Sequence, residues 1–206
     1  MNARLVELTE ENMNRGKALW LIDAGYLFRG NPIDEYGYQI NYKKLRDWLE
    51  TDGAIWRAYY LNAAPAPPTE EQERFNNWLR TGPPDGPKLI TKIYDLKRFR
   101  VDRAFCEDCG TMVSPECSAH KGHRLYREQQ KGVDVGLATL ALTLAHLYDT
   151  LILSSGDGDL LDAVEHLSMQ GKQLELVVYK IGVSSELQAR ADRIHWIDDF
   201  KDDVRT

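Results

Sequence analysis

Four aspartates carry the chemistry this chain is best equipped to do. Asp23 closes the apolar run ALWLID, Asp134 falls at the start of VDVGLATLAL, and Asp157 and Asp159 follow TLILSS in the run SSGDGD. A divalent cation such as Mg2+ or Mn2+ takes hard oxygen ligands and keeps several waters, so a few carboxylates at one edge can hold it against a phosphate. Ions held this way orient and activate water and neutralise charge developing on the phosphate. Without a cation the same carboxylates repel, raise one another's pKa values and titrate as a coupled set. Taken singly, each acid also suits a plainer role. Asp157 and Asp159 fit turns or caps, and Asp134 fits a first helical turn, where the dipole favours an acid. The chemistry requires them in one place, which only the fold can arrange.

A second constellation lies between Cys106 and His123. Cys106-x2-Cys109, Cys117 and either His120 or His123 supply three thiolates and an imidazole, a complete tetrahedral shell for Zn2+. Such a shell leaves no open position for water, so its expected role is structural, folding a loop that lacks a core of its own. Cys117-x2-His120 mirrors the spacing of the first pair and makes His120 the first choice, with His123 as the alternative. Gly110, directly after the second cysteine, suits the tight turn of a zinc knuckle. The plainer alternative is a polar loop with reduced, unliganded thiols.

Charge is concentrated around these cysteines. Residues 97–131 hold eight basic and five acidic side chains, a net +3, whereas the whole chain carries −6 and the remainder therefore −9. The overall sign argues against bulk electrostatic attraction to nucleic acid. Locally, Arg98, Arg100, Arg103, Lys121, Arg124 and Arg127, with Phe99, Phe105 and Tyr126 among them, combine phosphate-binding charge with stacking surfaces suited to single strands.

The elements that must position these residues follow from periodicity. ALWLID (18–23) reads as a buried strand, AIWRAYYL (54–61) as a second, ended by APAPP, and LITKIYDL (89–96) as a third. A helix over 42–50 takes Asn41 as its cap and turns Leu45, Trp48 and Leu49 inward. Thr69 and Gln72 form a capping-box pattern for a helix with Phe75, Trp78 and Leu79 on its inner face. Val133, Leu137, Leu140, Leu144 and Leu147 make a helical stripe leading into the strand 150–155. A helix over 160–169, the strand QLELVVY and a short helix in SSELQARA complete the series. Alternating strands and helices imply a parallel sheet with helices on both faces, whose ligands sit outside the carboxyl ends of the strands. That edge receives Asp23, Asp157 and Asp159, and Asp134 opens the helix leading back to it.

A chain of 206 residues with 43% apolar content suits one domain with an insert. The expected division is a lead-in over 1–16 and an α/β domain over 17–206, interrupted by the basic Cys/His insert at 97–131. The polar start MNARLVELTEENMNRG, the lack of any long apolar run and the reduced cysteines point to a cytoplasmic protein with no membrane association.

LIDAGYLF (21–28), KGVDVGLATLAL (131–142) and LILSSGDGDLLDAVEHLSMQGKQLELV (151–177) resemble the NYN domain, a branch of the PIN-like nuclease superfamily. The resemblance runs from residue 18 to about 198, outside the cysteine insert. It implies a doubly wound PIN-like sheet and metal-dependent hydrolysis, usually of RNA. It carries the acids onto Asp23, Asp134, Asp157 and Asp159, and a supporting hydroxyl onto Ser155. Many members have Asn three residues after the first Asp, where this chain has Tyr26. The activity the resemblance implies is an endoribonuclease acting on single-stranded RNA, with RNA, single-stranded or structured, as the partner. The alternative is an RNA- or nucleotide-binding module with weak or no hydrolysis, and a homodimer is compatible with either. An aspartyl-phosphate enzyme would usually place a second Asp two residues after Asp23, where Gly25 stands.

Overall fold

In a computed structural model, residues 15–29 and 38–206 are described, so the lead-in up to residue 14 lies outside the described residues. Six strands form one parallel sheet: β1 (Ala18–Asp23), β2 (Ile55–Ala64), β3 (Ile90–Asp95), β8 (Thr150–Ser154), β9 (Gln173–Val178) and β10 (Arg193–Trp196). Their order is β10-β9-β8-β1-β2-β3. From β1 the chain winds outward through β2 to β3, then returns to β8 and winds the other way. The topological switch point therefore lies between β1 and β8, where such sheets bind their ligands.

Both faces of the sheet are covered, as a parallel sheet requires. Every residue of β1 is buried. Leu19 and Leu21 join one core with α4 (Val133–Thr143), α5 (Leu161–Met169) and Leu187 of α6 (Ser185–Arg190). Trp20 and Ile22 join the other, with α1 (Ala24–Arg29), α2 (Tyr42–Leu49), α3 (Glu70–Arg80) and α7 (Ile197–Phe200). Local signals set the helix starts. Asn41 Oδ1 accepts from the Lys43 and Lys44 amides, and Thr69 and Gln72 close a reciprocal capping box.

Some elements differ from the sequence reading. The stripe through Leu144 and Leu147 does not continue α4, which stops at Thr143. Leu147 lies instead in a short 3-10 turn, and the Tyr148 hydroxyl donates to the Ala141 carbonyl at 2.8 Å. Phe75 is partly exposed, with its ring 6.2 Å from those of Tyr42 and Tyr60. Arg15, at the end of the expected lead-in, belongs to the fold. Its buried guanidinium donates to both Glu175 oxygens, at 2.8 and 2.5 Å, and to the Leu49 carbonyl.

The insert adds two antiparallel ribbons. β4 (Lys97–Arg100) pairs with β7 (Tyr126–Gln129), and the hairpin of β5 (Ala104–Cys106) and β6 (Thr111–Val113) lies between them in the chain. The insert leaves directly after β3 and re-enters just before α4, so its roots stand at the strand ends.

Candidate active site at the strand ends

Asp23 is the last residue of β1 and, alternating with Leu19 and Leu21, projects to the face covered by α4. It is only 7% exposed. Its Oδ1 accepts the Tyr26 amide at 3.2 Å and its Oδ2 accepts the hydroxyl of buried Ser155 at 3.4 Å. Ser155 Oγ in turn accepts the Asp157 amide at 3.3 Å, so this one hydroxyl joins the end of β1 to the loop after β8. Asp157 caps the following turn by accepting the Asp159 amide at 3.0 Å. The cap role open to Asp157 is thus real, and it fixes the carboxylate in place.

Electrostatics tie the four acids together. Burial pushes the Asp23 carboxyl above the usual range and the charge of Asp134 adds to this, against the Tyr26 and Gly25 amides and the Ser155 hydroxyl. Burial likewise raises Asp134, in the first turn of α4, and the charges of Asp157 and Asp159 raise it further. Asp134 therefore feels the other three acids, which come from two different strand ends. Among the described residues no three His, Cys, Asp or Glu side chains close on one point as a metal-holding group. What the arrangement offers is an all-oxygen, mutually repelling set, the donor chemistry that suits a hard divalent cation.

Gly156 and Gln130 escaped the sequence reading, and Tyr26 and Gly25 make close approaches that it did not reveal. Tyr26, besides its amide bond to Asp23, accepts the Tyr179 amide on its hydroxyl at 3.0 Å and so links the ends of β1 and β9. Gly156 sits where a Cβ would stand 2.1 Å from the Gly182 carbonyl oxygen and 2.7 Å from the Tyr26 ring. A Cβ on Gly25 would meet the Gln130 side-chain amide at 2.9 Å and Asp23 Oδ1 at 3.2 Å, so Gln130 brings a carboxamide beside the first aspartate. The two glycines were the available signal, since each interrupts an otherwise apolar or acidic motif.

In the insert the donors stand as two pairs. On the β5–β6 hairpin, Gly110 adopts φ 66° and its amide donates to the Cys106 carbonyl at 2.9 Å, the tight turn expected there. The Cys109 thiol lies 3.0 Å from the Thr111 hydroxyl, and this bond, with the Thr111 amide and Cys106, pushes its pKa down. Cys117 Sγ lies 3.7 Å from His123 Nδ1, and the rings of His120 and His123 stand 4.7 Å apart. Arg103, Lys121 and Arg124 are exposed in the connecting loops, whereas Arg98, Arg100 and Arg127 lie on the β4–β7 ribbon.

Fold and site together define an α/β domain with clustered strand-end aspartates at its switch point. The NYN domain family profile matches residues 17–198, and the chain belongs to that family, within the PIN-like nuclease superfamily. The fold also resembles the crystal structure of a protein of unknown function from Vibrio parahaemolyticus. The TM-score is 0.65 at 20% identity, covering 93% of this chain and 97% of that one. No curated protein matches the chain. Among the described residues no helix is long and apolar enough to cross a membrane.

Proposed function

We propose that this chain is a metal-dependent endoribonuclease that hydrolyses phosphodiester bonds in single-stranded RNA. The observation that carries this reading is the charge coupling of Asp23, Asp134, Asp157 and Asp159 at the switch point. Burial there raises two of the carboxyls, and like charge raises them further. A divalent cation relieves that repulsion, and Mg2+ or Mn2+ is the expected occupant. When bound, such an ion supplies Lewis-acid polarisation of the phosphate and an activated water.

The chain's own residues do the rest. Ser155 holds Asp23 and the Asp157 loop in fixed relation, and the Tyr26 amide orients the Asp23 carboxylate. Gln130 presents an amide beside Asp23, suited to hydrogen-bonding a phosphate oxygen. The basic insert supplies counter-charge for the RNA, and Cys106, Cys109 and Cys117 with His120 or His123 serve a structural zinc. The knuckle turn at Gly110 and the Cys117–His123 contact support that assignment and favour His123.

A second reading is a module that binds RNA with little hydrolysis, and Tyr26 motivates it. Its hydroxyl is engaged by the Tyr179 amide and offers the site no carboxamide. The two are separated by incubating labelled single-stranded RNA and DNA with the protein in Mg2+, Mn2+ or EDTA, beside an Asp157→Asn variant. Metal-dependent RNA cleavage lost in the variant supports the nuclease. Binding without cleavage under any metal supports the module.

A further inference from the structure

The β4–β7 ribbon has two chemically different faces. In an antiparallel pair, directly opposed residues project to the same face, and successive residues along a strand to opposite faces. The register pairs Lys97 with Gln129 and Phe99 with Arg127, so these four share one face. Arg98 with Glu128 and Arg100 with Tyr126 share the other. Lys131 Nζ lies 4.7 Å from the centroid of the Phe99 ring, adding a third cation to the first face. Among the described residues none of Lys97, Arg127 and Lys131 forms an ion pair. On the opposite face both arginines are paired, Arg98 with Glu128 at 2.7 Å and Arg100 with Asp102 at 2.5 Å.

We infer that the face carrying Lys97, Phe99, Arg127 and Lys131 binds single-stranded nucleic acid and delivers it to the aspartates. This rests on the nuclease reading above. An exposed ring surrounded by uncompensated cations matches what a single strand offers, a base that stacks and phosphates that flank it. Phe99 keeps 43% of its surface exposed. A duplex, whose bases are already stacked on one another, has no free face for the ring.

The placement suits delivery. Lys131 precedes Asp134 by three residues, so their Cα atoms are at most roughly 11 Å apart. Gln130, between Lys131 and β7, packs its side-chain amide against Gly25, two residues from Asp23. A strand held at Phe99 therefore has neighbouring phosphates within reach of the carboxylates. The assignment also divides the basic residues of the insert. Lys97 and Lys131 join Arg127 in contacting the strand, whereas Arg98 and Arg100 spend their charge on Glu128 and Asp102.

The test is equilibrium binding of a labelled oligouridylate to the full chain in EDTA, where hydrolysis plays no part. Stacking on an aromatic contributes about 1–3 kcal/mol per base, so Phe99→Ala should weaken binding roughly 5- to 150-fold, and Phe99→Trp should restore it. Arg127→Ala and Lys131→Ala should each weaken binding and flatten the slope of log affinity against log salt by about 0.7. Arg98→Ala should cost less than either, and duplex RNA of the same length should bind more weakly. Melting curves establish that each variant is folded. The inference is overturned if the wild-type chain does not bind, if Arg98→Ala costs as much as Arg127→Ala, or if duplex binds as well as single strand. Loss of binding in the Phe99 and Arg127 variants without any metal-dependent cleavage would remove the nuclease reading alone. Cleavage by a chain whose Phe99→Ala variant binds normally would remove this face alone.

Discussion

Gly156→Ala tests whether the loop after β8 is held as tightly as the geometry indicates. A Cβ built there lies 2.1 Å from the Gly182 carbonyl oxygen, 2.7 Å from Tyr26 Cε2 and 2.9 Å from Val183 Cα. Two of these atoms are backbone, so no rotamer change relieves the clash. The opposing segment is tethered as well. Ser184 donates its amide to the Gly156 carbonyl, Lys180 to Asp198 and Tyr179 to the Tyr26 hydroxyl, at 2.9, 2.8 and 3.0 Å. The backbone of Gly156 lies outside the positive-φ region, so the penalty is steric alone. Overpacking of this kind costs about 1–3 kcal/mol, and a carbonyl at 2.1 Å places Gly156 at the upper end. Reduced freedom of the unfolded chain returns about 0.4–1 kcal/mol. The net is a loss of roughly 2 kcal/mol, or about 4–8 °C in Tm for a chain of this size. Gly158→Ala is the internal control. Its nearest neighbours are the Ser184 hydroxyl at 3.3 Å and Cβ at 3.5 Å, a contact that a shift of a few tenths of an ångström relieves without breaking the Ser184 cap on the Leu187 amide, so a change within about 0.5 kcal/mol is expected. Urea denaturation of the three proteins measures both, and metal-dependent cleavage by folded Gly156→Ala should fall because Ser155 and Asp157 flank the clash. A Gly156→Ala protein as stable as wild type, or no more affected than Gly158→Ala, would refute the reasoning.

Tyr26→Phe removes the acceptor of the Tyr179 amide and should cost about 1–3 kcal/mol in urea denaturation, while retaining cleavage, because the bond to Asp23 comes from the backbone. Glu175 makes stability depend on acid. Burial alone would raise its carboxyl, but the hydrogen bonds and charges of His195 and Arg15 prevail and hold it at about 2, below the ordinary 4.5. The folded value lies below the unfolded one, so this contribution, on the order of 3 kcal/mol, is complete above about pH 4.5 and lost as pH falls toward 2. Urea midpoints between pH 5 and 2 should fall more steeply for wild type than for Glu175→Gln, and parallel profiles would sink the assignment. Purified protein should carry about one zinc per chain by atomic absorption, lost in Cys106→Ser and reduced more by His123→Ala than by His120→Ala; metal-free wild-type protein would remove the zinc shell.

What the sequence made legible was local. The unbroken burial of β1 follows from an apolar run, and the caps at Asn41 and Thr69 need only residues within a turn. Strand and helix alternation was enough to bring Asp23, Asp134, Asp157 and Asp159 to one edge, because in a parallel sheet every strand ends on the same side. Contacts between distant segments stayed hidden. Nothing near Arg15 announces Glu175, and nothing near Tyr26 announces Tyr179. Nor does the α4 stripe reveal that the helix ends before Leu147, since a 3-10 turn continues an apolar pattern almost as well.

The insert shows most clearly why charge composition alone was not enough. Counting residues 97–131 yields a net positive segment, but the count adds cations that face an acid to cations that do not. Only the pairing of Phe99 with Arg127 separates them, and it joins positions far apart in the chain. A register shift of one residue on either strand would bring Tyr126 or Glu128 opposite Phe99 and place Arg127 opposite Arg98 or Arg100. Either shift puts Glu128 on the face of Phe99 and moves Arg127 to the other, so the ring and an acid-free set of cations would no longer share a face. The ability of this element to grip a strand thus depends on its register, which the hairpin and the two roots at β3 and α4 hold in place.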